Sequence, residues 1–378
     1  MLNKETWSNW VEVDLKVVED NVHYLHQSTG VQIMAIVKAN GYGHGAPAIA
    51  KAAIHGGATW LGVARIEEGL DLRSIFPNIP ILLLGYTPPA KYQSAIANDL
   101  SLTIWNSDQL YRAHQTAQDL KRQAKIHLKV DTGMSRLGVQ ANDGLKLAQQ
   151  IVALSHVEFE GLFTHFARAD ESDPEPTDLQ AALFQELVEI IRAQGIYPKV
   201  IHTANSAASI TRPETFFDLV RTGILIYGLD PSDECPAPHA IRPALSWKSV
   251  ISQVKVLPAG RGISYGHEYT TSKPERVGTV PVGYADGFRR TKNNILLVSG
   301  KRVPVIGRVC MDQIVIQLDQ VPWVQEGDEV ILLGSQGDDQ ISAEELATRW
   351  NTNNYEVVCG IGQRVPRIYI ESKASFGN

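Results

Sequence analysis

Ile33-Met34-Ala35-Ile36-Val37-Lys38-Ala39-Asn40-Gly41-Tyr42-Gly43-His44-Gly45 joins an apolar run to a lysine and then to a glycine-rich loop. The five apolar residues read as a buried parallel strand. The three glycines let the following backbone turn sharply and approach a ligand closely. Lys38 is thereby presented at a strand's carboxyl end, where desolvation can lower an amine's pKa and ready it to form a Schiff base with an aldehyde. A lysine snorkelling beside a flexible loop fits the same letters, so the rest of the chain must decide.

Working outward, short apolar runs alternate with helical patterns. Strands are expected at Gln32 to Val37, Trp60 to Ala64, Ile81 to Leu84, Leu102 to Trp105, Ile126 to Val130, Phe159 to Phe163, Val200 to Thr203 and Leu219 to Thr222. Between the last three, Leu179, Leu183, Leu187 and Ile190 fall on one helical face, with Thr177 and Gln180 as a capping box and Gly195 as the stop. Eight strand-then-helix units with right-handed crossovers close most simply into a parallel (β/α)8 TIM-type barrel, with an open doubly wound sheet as the runner-up.

The pattern breaks at Pro236, Pro238 and Pro243, which permit neither a continuous helix nor a central strand. A boundary there gives a barrel over 12–236 and a β-rich domain over 237–378. Strands are expected at Ser249 to Leu257, Arg276 to Val282, Asn294 to Val298, Val303 to Val309 and Glu329 to Leu333, with one short helix capped by Ser342 and Glu345 and ending near Trp350. Trp10 to Leu15 alternates apolar and acidic residues, so the N-terminal segment 1–11 is expected to associate with this tail domain.

Composition narrows the function class. The chain has 378 residues and a net charge of −6, with no basic block interleaved with aromatics. Nucleic acid is therefore not an expected partner, and a small molecule is. No apolar run approaches the about 18 residues of a membrane span, and the start lacks an apolar signal core, so a cytoplasmic protein is expected. Cys235, Cys310 and Cys359 are odd in number and far apart, which supports neither a disulfide framework nor paired metal-ligand spacing.

Active-site groups of a parallel barrel follow its strands at their carboxyl ends. Polar clusters sit there: Lys38 with Tyr42; Lys129 to Gly138, containing Arg136; Thr164-His165-Phe166; His202 to Ala208, containing Asn205 and Ser206; and Arg221-Thr222-Gly223-Ile224. Each alone has a structural explanation, His165 as a core histidine, Ser206 as a cap, Arg221 as a surface charge. Five at equivalent strand ends are hard to explain as packing.

These runs, together with Ile263-Ser264-Tyr265-Gly266, Gly283-Tyr284-Ala285-Asp286-Gly287, Cys310-Met311-Asp312 and Asn354-Tyr355-Glu356, resemble those of bacterial alanine racemase, a fold-type-III pyridoxal-phosphate enzyme. The resemblance spans nearly the whole chain in order. One departure is Gly41, where the family more often has alanine, which should loosen the turn without altering the chemistry.

The resemblance implies that Lys38 holds pyridoxal 5'-phosphate as a Schiff base. It implies a phosphate site at Tyr42, Ser206, the backbone of Gly223 and Ile224, and Tyr355, with Asn205 beside it. His165 would pack on the pyridine ring, with His202 behind the site, and Arg221 would face the ring nitrogen. A guanidinium offers only donors, so that nitrogen stays unprotonated and the ring is a weaker electron sink. Racemisation needs a proton removed from one face of Cα and returned to the other, and the family assigns these faces to Lys38 and Tyr265. Arg136 and Met311 would contact substrate, and Lys129 matches the position that can carry a carbamate to Arg136. Tyr265, Met311 and Asp312 belong to the tail domain, and in the family the partner subunit supplies them. The resemblance therefore implies a head-to-tail homodimer with shared sites, an entrance narrowed by Tyr284 and Tyr355, and D-alanine made for peptidoglycan.

Three rivals remain at this stage. A serine or broader-specificity racemase differs only in substrate, where discrimination by such a pocket is modest. Barrel-type decarboxylases of basic amino acids share the cofactor but pair the ring nitrogen with a carboxylate and lack the Tyr265 motif. A pyridoxal-phosphate-binding protein without turnover would be a lone barrel, which the long β-rich tail disfavours.

Overall fold

The computed structural model describes residues 6–372. Two compact units emerge, one of 17–242 and the other of 1–16 with 243–378. The expected boundaries at 11/12 and 236/237 thus shift to 16/17 and 242/243. The N-terminal shift has a clear cause: the strand Asn9–Asp14 lies wholly in the tail unit's sheet, antiparallel to Leu245–Val250 and parallel to Arg367–Ile370.

The 17–242 unit contains eight parallel barrel strands: β1 (Gln32–Ile36), β2 (Ala58–Val63), β3 (Ile81–Leu83), β4 (Ser101–Ile104), β5 (Ala124–Asp131), β6 (Val157–Phe163), β7 (Val200–His202) and β8 (Leu219–Thr222). Hydrogen bonding runs β8, β1, β2 and onward to β7. Between β7 and β8 the ring closes by Asp218 N to Ile201 O at 3.1 Å and Arg221 N to Ala204 O at 2.9 Å. All eight expected strands exist, displaced by no more than two residues at either end. Ile33, Met34, Ala35, Ile36 and Val37 are all buried, as a strand covered on both faces requires.

The helix after β6 corrects one expectation. It spans Glu175–Ala193 and buries Thr177, Gln180, Phe184, Leu187, Val188 and Ile191. Leu179, Leu183 and Ile190 are exposed. Counting apolar letters misplaced the face because its first turn is buried through polar groups. Gln180 is no cap: its Oε1 accepts from Ala167 N at 2.9 Å, and its Nε2 donates to Thr132 Oγ1 and His165 O, each at 3.2 Å.

The other unit is built on a sheet ordered, from one edge, Gln253–Leu257, Glu275–Val280, Ile314–Gln317, Lys301–Ile306, Ile295–Val298, Glu329–Gln336, Leu245–Val250, Asn9–Asp14 and Arg367–Ile370, with Asp339–Ile341 paired to Glu329–Gln336. The expected single strand from Ser249 to Leu257 is two, broken at Ile251 and Ser252. The helix Ala343–Trp350 begins as expected, with Ser342 Oγ accepting from Glu345 N at 3.1 Å.

After β1 the chain makes a left-handed turn, with φ of 52°, 54°, 62° and 50° at Ala39, Asn40, Gly41 and Tyr42. Left-handed backbone costs a non-glycine residue about 1–2 kcal/mol, so Gly41 relieves one of four strained positions. Its missing Cβ would also sit 3.2 Å from Ala46 N and Cα. Gly41→Ala is expected to lower stability by about 1 kcal/mol, read from the denaturant midpoint at unchanged slope. An unchanged midpoint would show that the turn is not strained.

Candidate functional site

The barrel's carboxyl ends hold a cluster of cations. Lys38 is half-buried, its Nζ 5.8 Å from the Tyr42 ring centroid. Its turn is locked by Glu68, whose Oε1 accepts from Ala39 N at 2.6 Å and whose Oε2 accepts from Ala64 N and Arg65 N at 2.9 and 3.0 Å. Lys129 is buried on β5, and burial, with Arg221 and Arg136 nearby, pushes its amine down to about 8. Lys38 repels it too, and Asp131 is the opposing charge. Lys129 Nζ and Arg221 Cζ each lie 5.3 Å from the centroid of the Phe163 ring. Exposed Arg136 follows an Asp131-centred turn, where Asp131 Oδ1 accepts from Gly133 N and Ser135 N.

Arg221 is buried on β8. It donates to Thr164 O and Thr203 O at 2.8 Å, to His202 Nδ1 at 2.9 Å and to His165 Nδ1 at 3.1 Å. Burial pushes the guanidinium down to about 9, which leaves it cationic at neutral pH. Desolvation first, and then Arg221, hold both His165 and His202 well below the ordinary histidine value, so both rings are neutral.

Hydroxyls gather at the turn after β8. Gly223 N donates to Ser206 Oγ at 2.8 Å, so that hydroxyl keeps its own proton to donate. A Cβ on Gly223 would meet Tyr42 Oη at 2.7 Å, and the turn leads into Ile224–Tyr227. Thr222 Oγ1 is buried without a hydrogen-bond partner among the described residues. Asn205 acts locally, its Oδ1 accepting from Ala208 N at 3.0 Å. Tyr227, absent from the sequence reading, donates to Ile36 O at 2.8 Å and packs its ring 4.8 Å from that of Tyr42.

The β-rich unit carries its own cluster. A cavity of about 670 Å³ is lined by Ser264, Tyr265, Gly266, His267, Cys310, Met311, Asp312 and Gln313. Tyr265 is 71 % exposed and flanked by left-handed backbone at Ser264, Gly266 and His267. The Cys310-Met311 backbone is gripped by the Tyr284 turn, where Tyr284 N donates to Cys310 O and Ala285 N to Met311 O, both at 3.1 Å. Gly283 makes the approach possible, since a Cβ there would lie 2.2 Å from Met311 O. Arg364, which spacing could not reveal, ties Asp286 to Asp312 at 2.7 Å each. Tyr355 sits half-buried on the short helix Asn354–Cys359, capped by Asn353.

The sequence candidates thus form two groups, one on each unit. Lys38, Tyr42, Lys129, Arg136, His165, His202, Asn205, Ser206, Arg221, Gly223 and Ile224 follow barrel strands, whereas Tyr265, Tyr284, Met311, Asp312 and Tyr355 belong to the β-rich unit. Glu68, Phe163 and Arg364 escaped sequence reading, and Gln180 was read only as a cap, because each acts on a residue distant in the chain.

Comparison with known proteins fits both groups. The family description "Alanine racemase, N-terminal domain" matches residues 13–231, and "Alanine racemase, C-terminal domain" matches 244–369. An alanine racemase of Symbiobacterium thermophilum is 44 % identical, covering 95 % of this chain and 96 % of that protein. A crystal structure of alanine racemase from Bacillus anthracis with bound L-Ala-P superposes with a TM-score of 0.91 at 40 % identity, covering 96 % of this chain and 95 % of that one. Histidine racemase from Leuconostoc mesenteroides gives 0.89 at 29 % identity over 97 % and 99 %. With two domain models accounting for nearly all of its length and a relative this similar from end to end, the chain belongs to the alanine racemase family.

Proposed function

We propose that this chain interconverts L- and D-alanine with pyridoxal 5'-phosphate, as a cytoplasmic head-to-tail homodimer whose D-alanine serves peptidoglycan. The observation that carries the reading is the cationic cluster of Lys38, Lys129, Arg136 and Arg221 at the barrel's carboxyl ends. Like charges that close need an anion, and a phosphorylated, phenolic cofactor with a carboxylate substrate supplies several.

The residues fit that cofactor. Tyr42 and Ser206 hydroxyls with the Gly223–Ile224 backbone form a phosphate cradle that a side chain on Gly223 would fill. Asn205 shapes this loop, and the family resemblance implies a role for Tyr355 at the phosphate. Lys38 would hold the cofactor, whose chemistry is to withdraw electrons and so acidify the substrate's Cα–H. Arg221, cationic at neutral pH and offering only N–H groups, would face the ring nitrogen as a donor. That pairing would make the ring a weaker electron sink than a carboxylate partner would. Neutral His165, oriented by Arg221 and by Gln180 on its carbonyl, would pack against the ring.

Two bases handle the Cα proton, the Lys38 amine on one face and the Tyr265 phenol on the other. Arg136 and Met311 orient the substrate, and Tyr284 and Asp312 narrow the entrance. Lys129, its amine near 8, has the neutral fraction that carbamate formation with carbon dioxide requires. A phenol as exposed as Tyr265 calls for a covering partner, which supports the shared-site dimer. Cys235 and Cys310 are free thiols, the state a reducing compartment maintains. A decarboxylase is disfavoured because Arg221, not a carboxylate, occupies the position facing the ring.

Specificity is the open choice within this reading. Serine adds only a hydroxyl, and a small pocket rejects such an addition modestly. Across a panel of L-amino acids monitored by loss of optical rotation, alanine is expected to lead serine by about tenfold or more in kcat/KM. Comparable turnover of serine would replace the alanine assignment, and carbon dioxide release would replace racemisation.

A further inference from the structure

A buried chain of polar side chains runs behind Arg221, from β8 to β4. His202 Nδ1 lies 2.9 Å from Arg221 Nη1, His202 Nε2 lies 3.0 Å from His127 Nδ1, and His127 Nε2 lies 3.1 Å from Glu160 Oε2. Ser101 donates to the same Glu160 oxygen. All five residues are buried.

The two ends determine the direction of every bond between them. Arg221 has only N–H donors, so His202 must accept at Nδ1 and carry its proton on Nε2. That proton is aimed at His127 Nδ1, which must therefore accept and leave the His127 proton on Nε2. A carboxylate only accepts, and Glu160 receives it. Reversing either ring would set N–H against N–H at Arg221 or leave Glu160 without its donor. Both imidazoles are therefore neutral, each in the Nε2–H form.

The barrel is built to hold this arrangement. β5 pairs Ile126 with Phe159 but His127 with Gly161, so Glu160 is the extra residue of a bulge. Bulges re-aim side chains, and this one brings the Glu160 carboxylate to His127 and Ser101. Opposite His127, a Cβ on residue 161 would lie 2.1 Å from Nδ1, so only glycine admits the ring. Phe163 stacks on His202 at 4.7 Å and 12°. Arg221's hydrogen-bond acceptors are two carbonyls and two imidazoles, which makes Glu160 the anionic end of its relay.

We propose that Glu160, braced by Ser101, is a positioning residue that anchors the far end of the relay whose direction Arg221 sets through His202 and His127, and so holds Arg221 as an oriented donor. Its catalytic consequence rests on the reading that Arg221 faces the cofactor's ring nitrogen; the tautomers themselves do not. Glu160→Gln removes the negative end but leaves an amide oxygen to accept from His127 Nε2–H, so the direction set by Arg221 persists while the bond that anchors the relay weakens. Glu160→Asp keeps the charge.

The test is 15N NMR of the histidine-labelled holoenzyme, with His127 and His202 assigned from His127→Asn and His202→Asn spectra. In the unsubstituted protein both rings should be neutral and protonated at Nε2. A proton at Nδ1 of either ring, or a cationic ring at neutral pH, overturns the proposal without any variant having to fold. In Glu160→Gln both rings should keep the Nε2–H form, the His127 Nε2 resonance should shift as its charge-assisted bond is lost, and kcat should fall on the order of tenfold with KM for alanine nearly unchanged and recovery in Glu160→Asp. An unshifted His127 resonance together with an unaltered kcat in a folded Glu160→Gln protein would also refute it. Absence of alanine racemisation by the unsubstituted enzyme, with the tautomers as assigned, would sink the functional reading and leave the relay standing.

Discussion

Lys38→Ala is expected to lower racemisation by about 10⁴-fold or more, because it removes the cofactor's attachment point and one of two proton-transfer groups together. Polarimetry on purified protein measures the rate. Borohydride reduction followed by peptide mapping locates the covalent link, which should fall on the Lys38 peptide of the unsubstituted enzyme and vanish in the variant. Stability should change little, since the neighbouring turn is held by Glu68 through backbone amides and by Asn40, which accepts from Ala46 N. Activity within tenfold of the unsubstituted enzyme would remove Lys38 from the mechanism.

Tyr265→Phe is expected to reduce kcat/KM by about 10²–10⁴-fold, the range for loss of one general acid–base group. Enantiomers have equal free energy, so the L-to-D and D-to-L directions must fall by the same factor. The asymmetry appears in deuterated water instead. The enantiomer whose α-hydrogen faces Lys38 should still exchange it, without inversion, whereas the other should not. Equal loss of exchange from both enantiomers, or undiminished racemisation, would refute the two-base assignment.

The same variant tests subunit sharing. Mixing Lys38→Ala with Tyr265→Phe protein, after verified subunit exchange, gives heterodimers with one intact and one doubly deficient site if the residues come from different protomers. A random equimolar mixture should recover about a quarter of full activity. No recovery would place both groups in one protomer.

Much of the candidate site was legible because its residues stand in motifs with a local cause. Lys38 ends an apolar run, Arg221 ends the eighth, and Ser342 and Glu345 cap a helix in the expected way. The helix over Glu175–Ala193 shows the limit. Its apolar letters point to Leu179, Leu183 and Ile190, yet Gln180 is inside, because the His165 and Ala167 backbone satisfies its amide. Hydrophobic periodicity assumes that polar side chains face water, and it fails wherever a distant backbone replaces that water.

By itself, then, the sequence determined the alternation of strands and helices, the strand-end placement of the chemical groups and the β-rich character of the tail. These depend on residues within a few positions of one another. Tertiary structure alone decided that Asn9–Asp14 pairs with Leu245–Val250 and Arg367–Ile370 within the tail's sheet, that Arg364 bridges Asp286 and Asp312, and that Glu160 turns toward His127 and Ser101. The reason is geometric. Successive strand side chains point to opposite faces, so a one-residue bulge reverses which of them meet, and no spacing along the chain records it.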